Sequence, residues 1–159
     1  MLRHFEPVAA GSQPAPVAGR LSGAVALGID LECADDLPWS GDPWSDPFYV
    51  ENFGGAEIAW CLRQADPRLS FCGLWSAKEA ARKCDPTLAG LRPSEIEIAH
   101  DRHGRPGLQT RRAAHQGLGG ECVLSISHSG RICVAVCVKK LVASPFPDAK
   151  LDYVQRPPP

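Results

Sequence analysis

The sequence predicts an α+β protein with a mostly antiparallel sheet packed on one long helix. Three observations carry that expectation. Residues 24–32 (AVALGIDLE) form a short apolar run ending in acids, the pattern of a buried strand with a polar end. Between residues 67 and 83, Leu69, Cys72, Trp75 or Ser76, and Ala80 recur at helical spacing. Residues 122–127 and 132–139 are apolar runs joined at His128-Ser129-Gly130-Arg131, which makes a hairpin with glycine at its bend.

The other segments follow in order. Residues 1–21 hold Pro7, Pro14 and Pro16 among Ala, Gly and Ser and read as a flexible arm. Residues 143–159 hold Pro145, Pro147 and Pro157-Pro158-Pro159 and read as a proline-rich tail, leaving 22–142 as the folded unit. Residues 33–53 are rich in Asp, Pro, Trp and Ser, so they read as a long irregular loop; loops of that length are often functional. Its aromatics, Trp39, Trp44, Phe48, Tyr49 and Phe53, pin it to the body. Residues 55–64 make a short helix with Ile58, Cys61 and Leu62 on one side. Asp66-Pro67 supplies an N-cap and a proline at the first position of the long helix, and Asp85-Pro86 stops it. Residues 95–99 (EIEIA) alternate as a strand, 101–106 form a turn, and 111–116 form a short helix.

Composition narrows the function. The chain has 159 residues, 44% hydrophobic and 22% charged, which suffices for one domain with one core. A net charge of -1 argues against a nucleic-acid partner bound by bulk positive charge. No apolar run reaches membrane-spanning length, and the start lacks the layout of a secretory signal. The seven cysteines are odd in number and contain no C-x-x-C pair, so they read as small buried hydrophobes in a reducing cytoplasm.

Three stretches carry chemistry. In Gly28-Ile29-Asp30-Leu31-Glu32, strand alternation puts Asp30 and Glu32 on one face. Paired carboxylates raise one another's pKa unless a hard cation such as Mg²⁺ relieves them; a polar strand end facing water is the plainer alternative. In Trp75-Ser76-Ala77-Lys78-Glu79-Ala80-Ala81-Arg82-Lys83, Glu79 and Lys83 share a helix face, with Trp75 one turn earlier. Such a pair is either a surface salt bridge or a metal ligand beside a phosphate-binding cation. Ser125-Ile126-Ser127-His128-Ser129-Gly130 ends a strand in hydroxyls, an imidazole and backbone donors that suit an anion, or is an ordinary polar hairpin. No G-x-S-x-G elbow, Walker loop or dinucleotide glycine motif accompanies them.

In this order the three stretches resemble the 4′-phosphopantetheinyl transferase superfamily, in its short holo-acyl-carrier-protein synthase form. Residues 95–98 and 101–106 resemble that family's D-I-E-I strand and G-x-P turn, and the likeness covers residues 24–140. The resemblance implies transfer of the phosphopantetheine arm of coenzyme A to a carrier-protein serine, releasing 3′,5′-ADP. It implies Mg²⁺ on Asp30 and Glu79, with Glu32 as the third acid of longer members. Glu79, directly or through a water, would take the serine proton. Lys83 would meet the pyrophosphate and assist the leaving group, and Lys78, Ser127 and His128 would also contact coenzyme A. A homotrimer with shared sites is implied as well.

Some positions depart from the family pattern. Leu74 stands where many short members have Arg, and residues 84–90 replace a Gly-Thr-Gly stretch. Asp35, Asp36, Asp42 and Asp46 would repel an acidic carrier, which leaves Arg63, Arg68, Arg82 and Lys83 as its better contacts. The rival readings are a non-catalytic carrier-binding module that keeps the fold, and a Mg²⁺-dependent phosphohydrolase using the same acids.

Overall fold

The computed structural model describes residues 25–39, 41–110 and 122–141. The two expected arms and the short helix expected at 111–116 lie outside the described residues. Among the described residues, five strands and three α-helices follow in the order β1 (Val25–Cys33), α1 (Pro47–Asn52), α2 (Gly55–Cys61), α3 (Pro67–Cys84), β2 (Ile96–His100), β3 (Pro106–Thr110), β4 (Cys122–Ser129) and β5 (Ile132–Lys140). The fold is α+β, and both sheets are antiparallel.

The main sheet has the order β1-β5-β4, so the first and last strands are neighbours. Its register sets Asp30 opposite Ala135, Glu32 opposite Cys133 and Cys133 opposite His128. The inner face of β1 is Ala26, Gly28, Asp30 and Glu32, and α3 packs on that face. Asp66 caps α3, its carboxylate accepting the Leu69 N–H at 2.9 Å, with Pro67 in the first turn. Phe71, Leu74, Lys78 and Ala81, spaced seven, four and three residues around Lys78, share the buried side of α3.

At Gly28 the helix meets the strand backbone to backbone. A Cβ there would lie 1.9 Å from the Ala80 carbonyl oxygen and 2.6 Å from the Cys84 nitrogen, so only glycine fits.

The segment 33–53 is more ordered than an irregular loop. A 3₁₀ turn at Ala34–Asp36 and helix α1 interrupt it, and the Asp46 carboxylate caps α1 through the Phe48 N–H at 2.9 Å. Six residues are too few to show a helical period in sequence. Tyr49 and Phe53 are buried against Phe71, with ring centroids 4.6 and 5.0 Å away. Phe48 packs beside them, whereas Trp39 and Trp44 are exposed. A further element is β3, which pairs with β2 as a second sheet. Its Pro-Gly start and single buried side chain, Leu108, give it little strand signature. The hairpin turn narrows to Gly130-Arg131, with Gly130 at φ +60°.

All seven cysteines are free thiols, five of them buried. No helix among the described residues is long and apolar enough to cross a membrane.

Candidate active site

The acid-bearing strand and the Lys-Glu helix converge at the seam between β1 and α3. One Asp30 oxygen accepts from the Lys83 ammonium at 2.6 Å. The other is buried and has no hydrogen-bond partner. Lys83 itself is 53% exposed, and its bond to Asp30 pushes its pKa up. Glu32 lies on the same strand face as Asp30. Burial pushes its carboxyl up, and the charges of Asp30 and Glu79 push the same way. Trp75 and Lys83 act the other way and favour its charged form. Glu79 accepts from Arg82 at 3.1 Å, and Arg82 also reaches the Ala89 carbonyl at 3.5 Å. Asp30, Glu32, Glu79 and Lys83 therefore form one cluster.

The donor set suits a hard divalent cation. One carboxylate oxygen is orphaned in a buried position, and burial together with the charges of Asp30 and Glu79 pushes the Glu32 carboxyl up. Among the described residues, no group of three or more Asp, Glu, His or Cys side chains is placed to hold a metal ion by itself. Mg²⁺ does not ask for one, since it binds through one or two carboxylates together with substrate phosphates and waters.

Lys78 departs from expectation. It is 0% exposed, and its three N–H donors go to the Glu57 carboxylate at 2.7 Å, the Asn52 carbonyl at 2.7 Å and the Pro93 carbonyl at 3.0 Å. Glu57 also accepts from the Gly54 and Ile98 N–H groups at 2.8 and 2.9 Å. Nothing is left on Lys78 for a ligand, so its assignment to coenzyme A is corrected to a core tie between α1, α2, α3 and β2. Consecutive helical residues point about 100° apart, which is why Lys78 and Glu79 part company.

Ser127 and His128 stand apart from the acid cluster within one chain. As neighbours on β4 they face opposite sides of the sheet. His128 lies in the row of Glu32, two strand spacings or roughly 10 Å away. It opens into a cavity of about 470 Å³ lined also by Trp60, Gly73, Leu74, His100 and Gly104. None of the four clustered residues lines that cavity. Trp60 and His100 stack at 4.1 Å with planes 9° apart, a pair that no sequence motif announced. Burial pulls His100 below its usual pKa.

Leu74, in the place of the family's Arg, is buried. In residues 84–90, Asp85 caps a 3₁₀ turn through Thr87 and binds Lys139 at 2.6 Å. Burial pushes Asp85 up, but Lys139 and Thr87 outweigh it and hold the carboxyl low. Arg68, expected to face a carrier, instead holds the carbonyls of Asp35 and Leu37.

The fold and this cluster together define a class of α+β protein with acids and a lysine gathered where a strand meets a helix. Comparison with known proteins gives the family. Residues 26–137 match the family model described as 4′-phosphopantetheinyl transferase superfamily. A holo-[acyl-carrier-protein] synthase of Chlorobaculum tepidum is 30% identical over 114 residues, covering 70% of this chain and 95% of that one. A fatty acid synthase subunit alpha of Candida albicans is 34% identical over 121 residues; they cover 72% of this chain but only 6% of that subunit. The solved ACPS–CoA complex named for Chronobacterium ammoniagenes superposes with a TM-score of 0.58 at 26% identity, covering 74% of this chain and 97% of that one. The chain belongs to the 4′-phosphopantetheinyl transferase superfamily.

Proposed function

We propose that this chain transfers the 4′-phosphopantetheine arm of coenzyme A to a serine of an acyl or peptidyl carrier protein, releasing 3′,5′-ADP. The observation that carries this reading is the buried, unpartnered Asp30 oxygen beside Glu32, Glu79 and Lys83 in a chain of this family. The relatives support the substrates: one is a holo-[acyl-carrier-protein] synthase, and a related solved structure holds coenzyme A. Likeness to fatty acid synthase subunits favours a carrier of fatty-acid type.

Asp30, Glu32 and Glu79 would hold Mg²⁺, which supplies charge neutralisation to the pyrophosphate. The chain's own groups do the rest. Lys83, on the exposed rim and charged through its bond to Asp30, meets the pyrophosphate and stabilises the leaving phosphate. Glu79, 25% exposed, takes the proton of the attacking serine. His128 and Ser127 contact coenzyme A, with the cavity at His128 as room for part of it.

The separation of His128 from the acid cluster supports a shared site, in which one copy supplies acids and another supplies the hairpin. The outer sheet face supports a homotrimer. It exposes Leu27, Ile29, Leu31 and Val123, at 57, 52, 63 and 71%, a row that water alone covers poorly. The family match over residues 26–137 supports reading 22–142 as the transferase domain, and seven free thiols fit a cytoplasmic setting.

The test is intact-protein mass spectrometry of apo carrier proteins incubated with this protein, coenzyme A and Mg²⁺. Gain of one phosphopantetheine mass, lost with chelator, is the expected result. Coenzyme A binding without any gain would leave a non-catalytic carrier-binding module. Release of 3′,5′-ADP with no carrier modified would leave a phosphohydrolase.

A further inference from the structure

We infer that Arg131 is a positioning residue, a clasp that sets the spacing between the two walls of the cavity at His128. This rests on the reading of that cavity as room for coenzyme A. One wall is α3, through Ser70, Gly73 and Leu74, and the facing wall is β4, through Ile126 and His128. The walls touch at Gly73, where a Cβ would lie 3.3 Å from the Ile126 Cγ2. Toward the hairpin tip they are joined by charge.

Arg131 is the second residue of a two-residue turn, since Ser129 pairs with Ile132. Left unattached, the tip of such a hairpin frays. Here it is fastened from three directions. The Arg131 carbonyl accepts the Ala34 N–H at 2.8 Å. Its Nε donates to the Asp35 Oδ1 at 3.0 Å, and its Nη1 donates to the Asp66 Oδ2 at 2.5 Å. The other Asp66 oxygen accepts the Leu69 N–H as the cap of α3. One carboxylate thus starts the helix of one wall and holds the tip of the other. Arg68 steadies Asp35 in turn, through the carbonyls of Asp35 and Leu37. Further in, Cys133, opposite His128 on the neighbouring strand, donates from its thiol to the Leu69 carbonyl at 3.6 Å. The end of the hairpin, His128 included, is therefore tied to the start of α3 at two points. The forked guanidinium suits this task, because it meets two carboxylates at once where a lysine offers a single point charge. Without the clasp the walls sample wider spacings, and coenzyme A binds only the fraction at the right distance.

The experiment titrates coenzyme A into the full chain by calorimetry, and separately measures KM for coenzyme A and kcat with Mg²⁺ and an apo carrier protein. Arg131→Met should raise both Kd and KM for coenzyme A about fivefold, equivalent to about 1 kcal/mol. Its kcat should fall less than about twofold, because the acids and Lys83 are untouched. Arg131→Lys should recover part of the affinity. Asp66→Asn separates the clasp from the cap, since asparagine caps a helix as well as aspartate does but brings no charge. It should keep the parent's melting temperature and show a similar rise in KM, and the double variant should be little worse than Arg131→Met alone. Parent affinity in Arg131→Met and Asp66→Asn, with His128→Ala weakened, would overturn the clasp and leave the cavity standing as the coenzyme A site. A lowered melting temperature with kcat and kcat/KM falling equally would reduce Arg131 to a structural tie and overturn the inference as well. Parent affinity in His128→Ala, or no coenzyme A binding by the parent protein, would overturn the reading of the cavity and the inference with it.

Discussion

Helix α3 carries two lysine–carboxylate pairs five residues apart, and they behave as opposites. Lys78–Glu57 is sealed, with side chains 0 and 1% exposed, and every donor is matched. Lys83–Asp30 is open on the lysine side and leaves one carboxylate oxygen unmatched inside. Burial pushes Glu57 up and Lys78 down, and each partner's charge opposes that push. The first pair is complete and holds elements together. The second is incomplete, which is what a binding group needs before its ligand arrives. Ion pairing by itself does not tell a structural group from a functional one; the leftover bonding capacity does.

The sharpest way to break this contrast is Lys78→Ala. It strands Glu57 in the core and should cost about 3–5 kcal/mol of stability, measured by urea unfolding. A loss under about 1 kcal/mol would mean that the pair is not sealed in solution. Asp30→Ala should do the reverse. Carrier modification should fall at least about a hundredfold, a loss at the top of the range for groups one step further from a metal. Its melting temperature should hold or rise, because a buried unmatched oxygen is removed. An active Asp30→Ala enzyme would sink the site. Lys83→Ala should lower turnover at saturating coenzyme A by about tenfold, the cost of roughly one charge-assisted hydrogen bond. Its stability should fall by about 1–3 kcal/mol, because the Asp30 carboxylate, 8% exposed, is left without its cation.

The smallest effect belongs to His100, which is half-sealed against Trp60. Its folded pKa lies below the ordinary 6.5, so the folded protein binds fewer protons than the unfolded chain in that range. Its contribution to stability is full above pH 6.5 and is lost as pH falls through the lowered value. Melts at pH 7.5 and 5.5 should differ less in His100→Phe than in the parent. NMR titration should place His100 below 6.5, and an unshifted value would refute the burial argument.

Much of this was legible in sequence. The bounds of α3 follow from Asp66-Pro67 and Asp85-Pro86, and the face of Asp30 and Glu32 follows from strand alternation. Lys78 was misplaced because motif adjacency to Glu79 outweighed its helical position, although Phe71, Leu74 and Ala81 already marked that side as apolar. Its partner Glu57 lies 21 residues away and carries no local signal. β3 and α1 are short elements formed by pairing and packing rather than by pattern. The separation of His128 from the acids depends on strand order, which no local motif encodes.

The bare contact at Gly28 sets a gauge. Where helix and strand touch through backbone alone, their spacing is set by van der Waals contact between backbone atoms and not by any side chain that can change rotamer. Asp30 lies two residues along one element, and Glu79 and Lys83 flank the contact on the other. The core beneath can be repacked by drift, or loosened by warmth, while the gap across which these groups meet keeps its width. The site thus owes its dimensions to an absent methyl group, and its chemistry is insulated from much of the molecule that carries it.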